Sequence, residues 1–140
     1  MQILILSPEL CSGCRICEAT CSFSKYGVIQ PSLSRIRIEN KWHLGVSMPV
    51  VCMNCPDPPC VQACPTGALS LEEGIVKYSP EECRLCRICV ESCPFKAIRY
   101  DEEHNTIIKC DLCGGRPLCA ESCPTGAIRY GEPELHDGIR

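Results

Sequence analysis

The sequence has no apolar stretch long enough to cross a bilayer: its longest runs, Ile3 to Leu6 and Pro49 to Met53, fall far short of the ~20 residues a spanning helix needs. It also lacks a basic segment ahead of an apolar one, since the chain opens Met1, Gln2, Ile3, Leu4, Ile5, Leu6. No export signal is therefore expected, and the chain reads as soluble and cytoplasmic, with no direct membrane insertion. A basic stripe is missing as well. The 14 lysines and arginines are scattered among 17 acidic residues, so no nucleic acid partner is expected. Histidine is scarce: His43, His104 and His136 are expected at the surface, and no site calls for a histidine ligand. Nothing resembles a catalytic constellation.

Cysteine is abundant, at 16 of 140 residues. That is about 11%, above the level at which a short secreted chain would be read as a disulfide scaffold. Without an export signal, clustered cysteines point to metal instead. They fall into four groups of four, an internal repeat. Cys11, Cys14, Cys17 and Cys21 are spaced C-x2-C-x2-C-x3-C, as are Cys83, Cys86, Cys89 and Cys93. Cys52, Cys55, Cys60 and Cys64 are spaced C-x2-C-x4-C-x3-C, and Cys110, Cys113, Cys119 and Cys123 are spaced C-x2-C-x5-C-x3-C. Every group ends in C-x3-C, and all but the first continue into proline.

A cuboidal 4Fe-4S cluster presents four iron corners, and a tight loop carrying three cysteines can wrap three of them. The fourth cysteine, three residues on, points away and in the two-cluster bacterial pattern ligates the other cluster, so the groups must work in pairs. Structural zinc would want two cysteine pairs separated by a longer loop. Sixteen cysteines divide without remainder into four closed sites, which leaves no open iron for a substrate and no spare thiol for nucleophilic catalysis. The chain therefore reads as a conductor of electrons. Each closed site carries about −2, so four of them would take the formal charge from −3 to about −11 and give a docking partner an acidic surface.

The flanks repeat too. Ala63 to Leu69, Ser92 to Ile98 and Ser122 to Ile128 follow one template, in which proline ends a short helical turn and a β-prone pair starts a strand. Leu69 to Leu71 and Ile75 to Tyr78, joined through Glu73-Gly74, read as a hairpin, and Ile98 to Tyr100 with Thr106 to Lys109 as another. Arg35 to Glu39 and Trp42 to Val46 alternate apolar and polar residues around Asn40-Lys41, as a half-buried hairpin would.

These motifs resemble the bacterial ferredoxins, and more closely the four-cluster ferredoxin-like subunits of multi-subunit oxidoreductases, over residues 1 to about 130. The resemblance implies four 4Fe-4S clusters in an α+β, ferredoxin-like fold with two nested pseudo-symmetric two-cluster modules. It implies a nested ligation: Cys11, Cys14, Cys17 with Cys123; Cys110, Cys113, Cys119 with Cys21; Cys52, Cys55, Cys60 with Cys93; Cys83, Cys86, Cys89 with Cys64. Residues 1–140 would form a single composite domain, with an inner ferredoxin module (46–104) inserted in an outer one (1–45 plus 105–140). Little conventional apolar core is expected.

By the same resemblance the chain is a non-catalytic electron-transfer subunit, most similar to the small subunits of tungsten aldehyde oxidoreductases. Subunits of carbon monoxide dehydrogenase, hydrogenase or formate dehydrogenase complexes, and a freestanding polyferredoxin, are the alternatives. The implied partners are a large catalytic oxidoreductase subunit at one face and a soluble electron carrier or flavoprotein subunit at the other, with self-stacking as a further possibility. A cysteine-stapled structural or metal-storage protein is the reading outside electron transfer.

A few residues depart from the template or invite a second reading. Pro56 to Pro59 and Gly114 to Leu118 lengthen two of the groups and are expected to reshape the surface beside them. Ser22 replaces the proline after the first group and weakens the turn expected there. Trp42 is expected to pack, with a subunit interface as its other reading. Arg15, Arg84, Arg87 and Lys109 lie in or beside the groups, where a positive charge would favour a reduced cluster, although solvated side chains are the plainer expectation. The polar tail from Gly131 to Arg140 is expected to be mobile or partner-bound.

Overall fold

A residue ahead of proline is pushed out of the helical region, so Cys-Pro should stop a helix at the cysteine. The computed structural model describes residues 2–132 and contains four helices: α1 (Ile16–Tyr26), α2 (Pro59–Ala63), α3 (Ile88–Ser92) and α4 (Leu118–Ser122). The last three end after five residues, and Cys64, Cys93 and Cys123 follow in extended conformation. Helices this short have no stability of their own; packing holds them.

In the first group there is no proline to stop the helix. The turn expected there is absent, and α1 runs on through Cys21 for 11 residues to a left-handed Gly27, whose N–H donates to Phe23 O at 2.8 Å. Ser22 is fully buried. Its Oγ donates to Ala19 O and accepts from Gln30 N, both at 3.1 Å, which ties the helix to the chain that returns after it.

The strands form four antiparallel pairs. β1 (Ile3–Leu6) pairs with β8 (Ile128–Gly131), joining the two ends of the described chain. β2 (Arg37–Lys41) pairs with β3 (Val46–Val50), β4 (Leu69–Glu72) with β5 (Ile75–Tyr78), and β6 (Arg99–Asp101) with β7 (Thr106–Ile108). The β4–β5 hairpin turns at Glu73-Gly74, both with positive φ, as a two-residue turn that matches the strand twist requires.

The β2–β3 hairpin corrects the sequence reading. Its turn lies at Trp42–Gly45, where a 3-10 turn ends in a left-handed glycine, and Asn40-Lys41 belongs to the strand. Burial alternates over Arg35 to Glu39 as expected, but Trp42 to Val46 are all exposed, and Gly45 supplies the positive φ that closes the loop. Trp42 sits at this tip and is 84% exposed, so it does not pack as expected.

α1 packs on α4, and α2 on α3. Buried Leu4, Ile36, Ile38, Val51, Leu69, Val76, Ile98, Ile107, Leu112 and Ile128 form one continuous core with the buried cysteines. The core is thus more aliphatic than expected, because six of the eight strands contribute one buried aliphatic side chain each and the segments beside the strands add Ile36, Val51, Ile98 and Leu112. Arg37 Nη1 donates to Lys96 O at 2.7 Å, and Arg99 Nη2 donates to Ser34 O, fastening the 31–41 segment across the chain that follows α3. Glu18, 2% exposed, accepts from Ile38 N at 2.6 Å and fixes α1 to β2.

His43 and His104 are exposed, the latter paired with Asp101 Oδ2 at 2.7 Å. His136 lies outside the described residues. So does most of the expected tail, while Gly131 closes β8. The lengthened loop of the fourth group borders a surface cleft lined by Arg116, Pro117, Glu121, Cys123, Arg129 and Tyr130. No described helix is long and apolar enough to cross a membrane.

Candidate metal centres

Each cysteine group begins with a C-x-x-C loop, and in all four the residue before the second cysteine has positive φ: Gly13, Asn54, Leu85 and Leu112. A left-handed residue there turns its amide back toward the first cysteine. Asn54 N donates to Cys52 Sγ at 3.5 Å, Leu85 N to Cys83 Sγ at 3.4 Å, and Leu112 N to Cys110 Sγ at 3.4 Å. Such turned amides make a concavity suited to negative charge, and two leucines bear left-handed strain of about 1–2 kcal/mol each to provide it. Gly13 avoids that strain and also has no room for a side chain, because a Cβ there would lie 2.8 Å from Ser47 Oγ.

The fourth cysteine of a group is held differently. At Cys64 burial pushes the thiol up, but the Thr66 hydroxyl and the amides of Leu69, Thr66 and Ala68 outweigh it and hold the thiol below its ordinary range. Cys123 is treated alike: burial raises its thiol, and the Ile128 amide, the Thr125 hydroxyl and further amides bring it below. The repeated Cys-Pro-x-Gly-Ala turn supplies these donors. Its glycines, Gly67 and Gly126, have φ of +72°, and Lys96 occupies the equivalent place at +54°.

Two cavities are each lined by four cysteines from two groups. Cys21, Cys110, Cys113 and Cys119 line one cavity. Cys64, Cys83, Cys86 and Cys89 line another. Cys55 and Cys60 both feel the charges of Cys52 and Cys93. Cys17 feels those of Cys11 and Cys14, and α4, which packs on α1, ends at Cys123. Among the described residues no three His, Cys, Asp or Glu side chains gather as a site for a single ion.

Burial pushes the Cys17 and Cys110 thiols up to about 12 and Cys89 up to about 11, and it raises Cys119 as well. Thiols so placed ionise only beside positive charge, which a metal core supplies while releasing their protons.

The sixteen thiols fit four 4Fe-4S clusters, and one further observation supports that fit. Arg35 lines the cavity of Cys21, Cys110, Cys113 and Cys119, yet its Nε and Nη1 are buried without a hydrogen-bond partner. A sulfur-rich, negatively charged group in that cavity would satisfy them.

Of the four basic residues singled out from sequence, Arg15, Arg84 and Arg87 are exposed, with Arg87 stacked over the Tyr100 ring at 3.7 Å. Lys109 is 4% exposed, and its Nζ donates to Cys110 O at 2.6 Å. Sequence reasoning missed Arg35, Lys25 and Asp111 around this cavity. Lys25 lies one helical turn beyond Cys21, a spacing that could have pointed to it; nothing in the sequence marks Arg35 or its distance from Asp111.

Known iron-sulfur proteins are similar to this chain. The family described as "4Fe-4S dicluster domain" matches residues 44–133, and "4Fe-4S binding domain" matches residues 8–26. The polyferredoxin-like subunit of an aliphatic sulfonate oxidoreductase from Pyrococcus furiosus is 46% identical, with 81% of this chain and 66% of that protein covered. One of the polypeptides of the anaerobic dimethyl sulfoxide reductase of Haemophilus influenzae is 33% identical over 77% of this chain and 60% of its own length. Electron transport protein HydN of Escherichia coli is 32% identical, covering 82% and 77% respectively. The chain thus spans two thirds or less of the first two. Among solved structures, a polypeptide of the BamBC active-site complex of benzoyl coenzyme A reductase shares the fold, with a TM-score of 0.56 and 23% identity over 99% of this chain and 81% of that one.

Proposed function

The chain belongs to the 4Fe-4S dicluster domain family, and from that premise we propose that it is an electron-transfer subunit relaying single electrons between the catalytic subunit of an oxidoreductase and a further carrier. The observation that carries this reading is that two cavities are each lined by four cysteines drawn from two groups, while Cys55 and Cys60 both feel Cys52 and Cys93.

The ligation is nested. Cys11, Cys14, Cys17 and Cys123 hold one cluster, and Cys110, Cys113, Cys119 and Cys21 its neighbour. Cys52, Cys55, Cys60 and Cys93 hold a third, and Cys83, Cys86, Cys89 and Cys64 the fourth. An inner module of residues 46–104 thus sits within an outer one of 1–45 and 105–140. Support comes from α2 packing on α3 within the inner segment, and from α1 packing on α4 and β1 pairing with β8 in the outer.

When bound, the clusters supply reversible one-electron storage. The chain's own part is to space them, donate amide hydrogen bonds to their ligand sulfurs, and keep water from the inner ones. Cys119 feels Cys17, and Cys110 feels Cys52, which supports a continuous relay through the Cys110 centre. Cys14 and Cys86 are the exposed ligands, so the centres that contain them form the two ends. One end meets the large catalytic subunit, and the other meets a soluble carrier, a flavoprotein subunit or a second copy.

The catalytic partner is of the tungsten-dependent aldehyde oxidoreductase type. The relative named as a subunit of an aliphatic sulfonate oxidoreductase supports a dedicated subunit role. HydN, named simply as an electron transport protein, favours the freestanding alternative. The test is anaerobic purification from native extract, with iron, sulfide, tungsten, molybdenum and nickel analysis of the fraction. Co-elution with a large tungsten-containing polypeptide is expected. Elution as a lone 15.5 kDa species without those metals would sink the subunit reading, and zinc in place of iron would sink the whole.

A further inference from the structure

Three charged side chains line the cavity of Cys21, Cys110, Cys113 and Cys119: Lys25, Arg35 and Asp111. They are not equivalent. Lys25 Nζ donates to both carboxylate oxygens of Asp111, at 2.8 and 3.0 Å, so its charge is spent locally. Asp111 also accepts from Cys113 N at 3.0 Å, and these donors hold its carboxyl below the usual range against the upward push of burial. Arg35 comes no nearer to Asp111 than 4.0 Å, through Nη1, and that nitrogen and Nε are buried with no hydrogen-bond partner. A guanidinium offers its donors in a fixed fork. Leaving such donors dry and unpaired is unfavourable on general grounds, so an acceptor belongs in the space they border. The backbone of the same residue already addresses this centre, since Arg35 N donates to Cys21 Sγ at 3.3 Å.

We propose that Arg35 donates hydrogen bonds from Nε and Nη1 to the sulfur atoms of the cluster in this cavity and raises that cluster's reduction potential. The proposal rests on the four-cluster reading above. Reduction adds one electron and one negative charge to the centre, and a partly buried cation with donors aimed at the sulfurs stabilises the more negative form. The exposed Arg15, Arg84 and Arg87 lie in or beside the other groups, where water screens their charge. Arg35, 21% exposed at the side chain, is screened far less. Asp111 works in the opposite sense on the same centre.

The experiment uses the anaerobically purified, iron-loaded full chain in a redox titration followed by electron paramagnetic resonance, with iron and labile sulfide counted in each sample. With iron at full complement, Arg35→Met should lower one of the four midpoints by at least about tenfold in reduction equilibrium, which is about 59 mV for one electron. Arg35→Lys, which keeps the charge but not the fork, should lower the same midpoint by less. Asp111→Asn should raise it, a reversal of sign that general loosening of the site would not produce. Four midpoints unmoved in fully loaded Arg35→Met, or Asp111→Asn moving the midpoint downward, would overturn the proposal. Should Arg35→Met fail to load, the other two variants decide: a fall with lysine and a rise with asparagine at one midpoint support it, and any other pattern defeats it. If the unsubstituted chain itself saturates near half the iron that four clusters require, the four-cluster reading has failed instead, which the iron count alone reveals.

Discussion

Placing proline at position 22 would give the first cysteine group the Cys-Pro ending of the other three, and the repeat taken at face value says this should be harmless. The structure predicts the opposite. Ser22 is the seventh of 11 residues in α1, and a proline inside a helix removes a backbone donor and clashes with the preceding turn, at about 3 kcal/mol or more. Two hydrogen bonds of the buried Ser22 Oγ, to Ala19 O and from Gln30 N, are lost as well, at roughly 1 kcal/mol each. The total of about 5 kcal/mol or more is a large part of the stability of a small domain. With a urea dependence of about 2 kcal/mol per molar, the concentration that bleaches half the visible iron-sulfur absorbance in a fixed anaerobic incubation should fall by about 2.5 M. Ser22→Ala loses only the hydrogen bonds and should move it by no more than about 1 M on the same arithmetic. If Ser22→Pro loads a full complement of iron and bleaches at the wild-type urea concentration, the helical run beyond Cys21 contributes nothing, and the account of the first group is wrong.

Further outcomes test the ligation and the local backbone. Cys21→Ser should cost the chain the centre of Cys110, Cys113 and Cys119 while leaving the visible spectrum of the rest; spectra that assign Cys21 to the centre of Cys11, Cys14 and Cys17 would refute the nested pairing. Gly13→Ala forces a Cβ to 2.8 Å from Ser47 Oγ at a φ of +73°, so it should destabilise by roughly 1–3 kcal/mol in the same bleaching assay, with partial recovery on adding Ser47→Ala. Lys96→Gly, at a φ of +54°, should instead stabilise by about 0.5–1 kcal/mol, and a loss of stability would show that the Cys-Pro-x-Gly turn is not strained there. Trp42→Ala should leave the isolated holoprotein within about 0.5 kcal/mol of wild type, given its exposure; a large drop would restore the packing role expected from sequence.

The cofactor type was legible in the sequence, because cluster ligation demands one residue type at short, fixed spacing and the chain carries that spacing four times. The short helices and their ends at Cys64, Cys93 and Cys123 were legible for an equally local reason, the restriction that proline places on the residue before it. The β4–β5 hairpin followed from two short β-prone runs joined through Glu73-Gly74. Long-range features were not legible. Arg35 and Asp111 meet at Cys21 and Cys110 only because the chain after α1 turns back beside the fourth group, and no local pattern records an approach between residues so far apart in sequence. Nor does alternation alone decide where a hairpin turns: Gly45 moved the β2–β3 turn and put Trp42 in solvent. Which thiols share a cavity is likewise decided by α1 meeting α4 and α2 meeting α3. Spacing bounds what each loop can hold, but the packing of helices too short to stand alone decides which loops lie side by side.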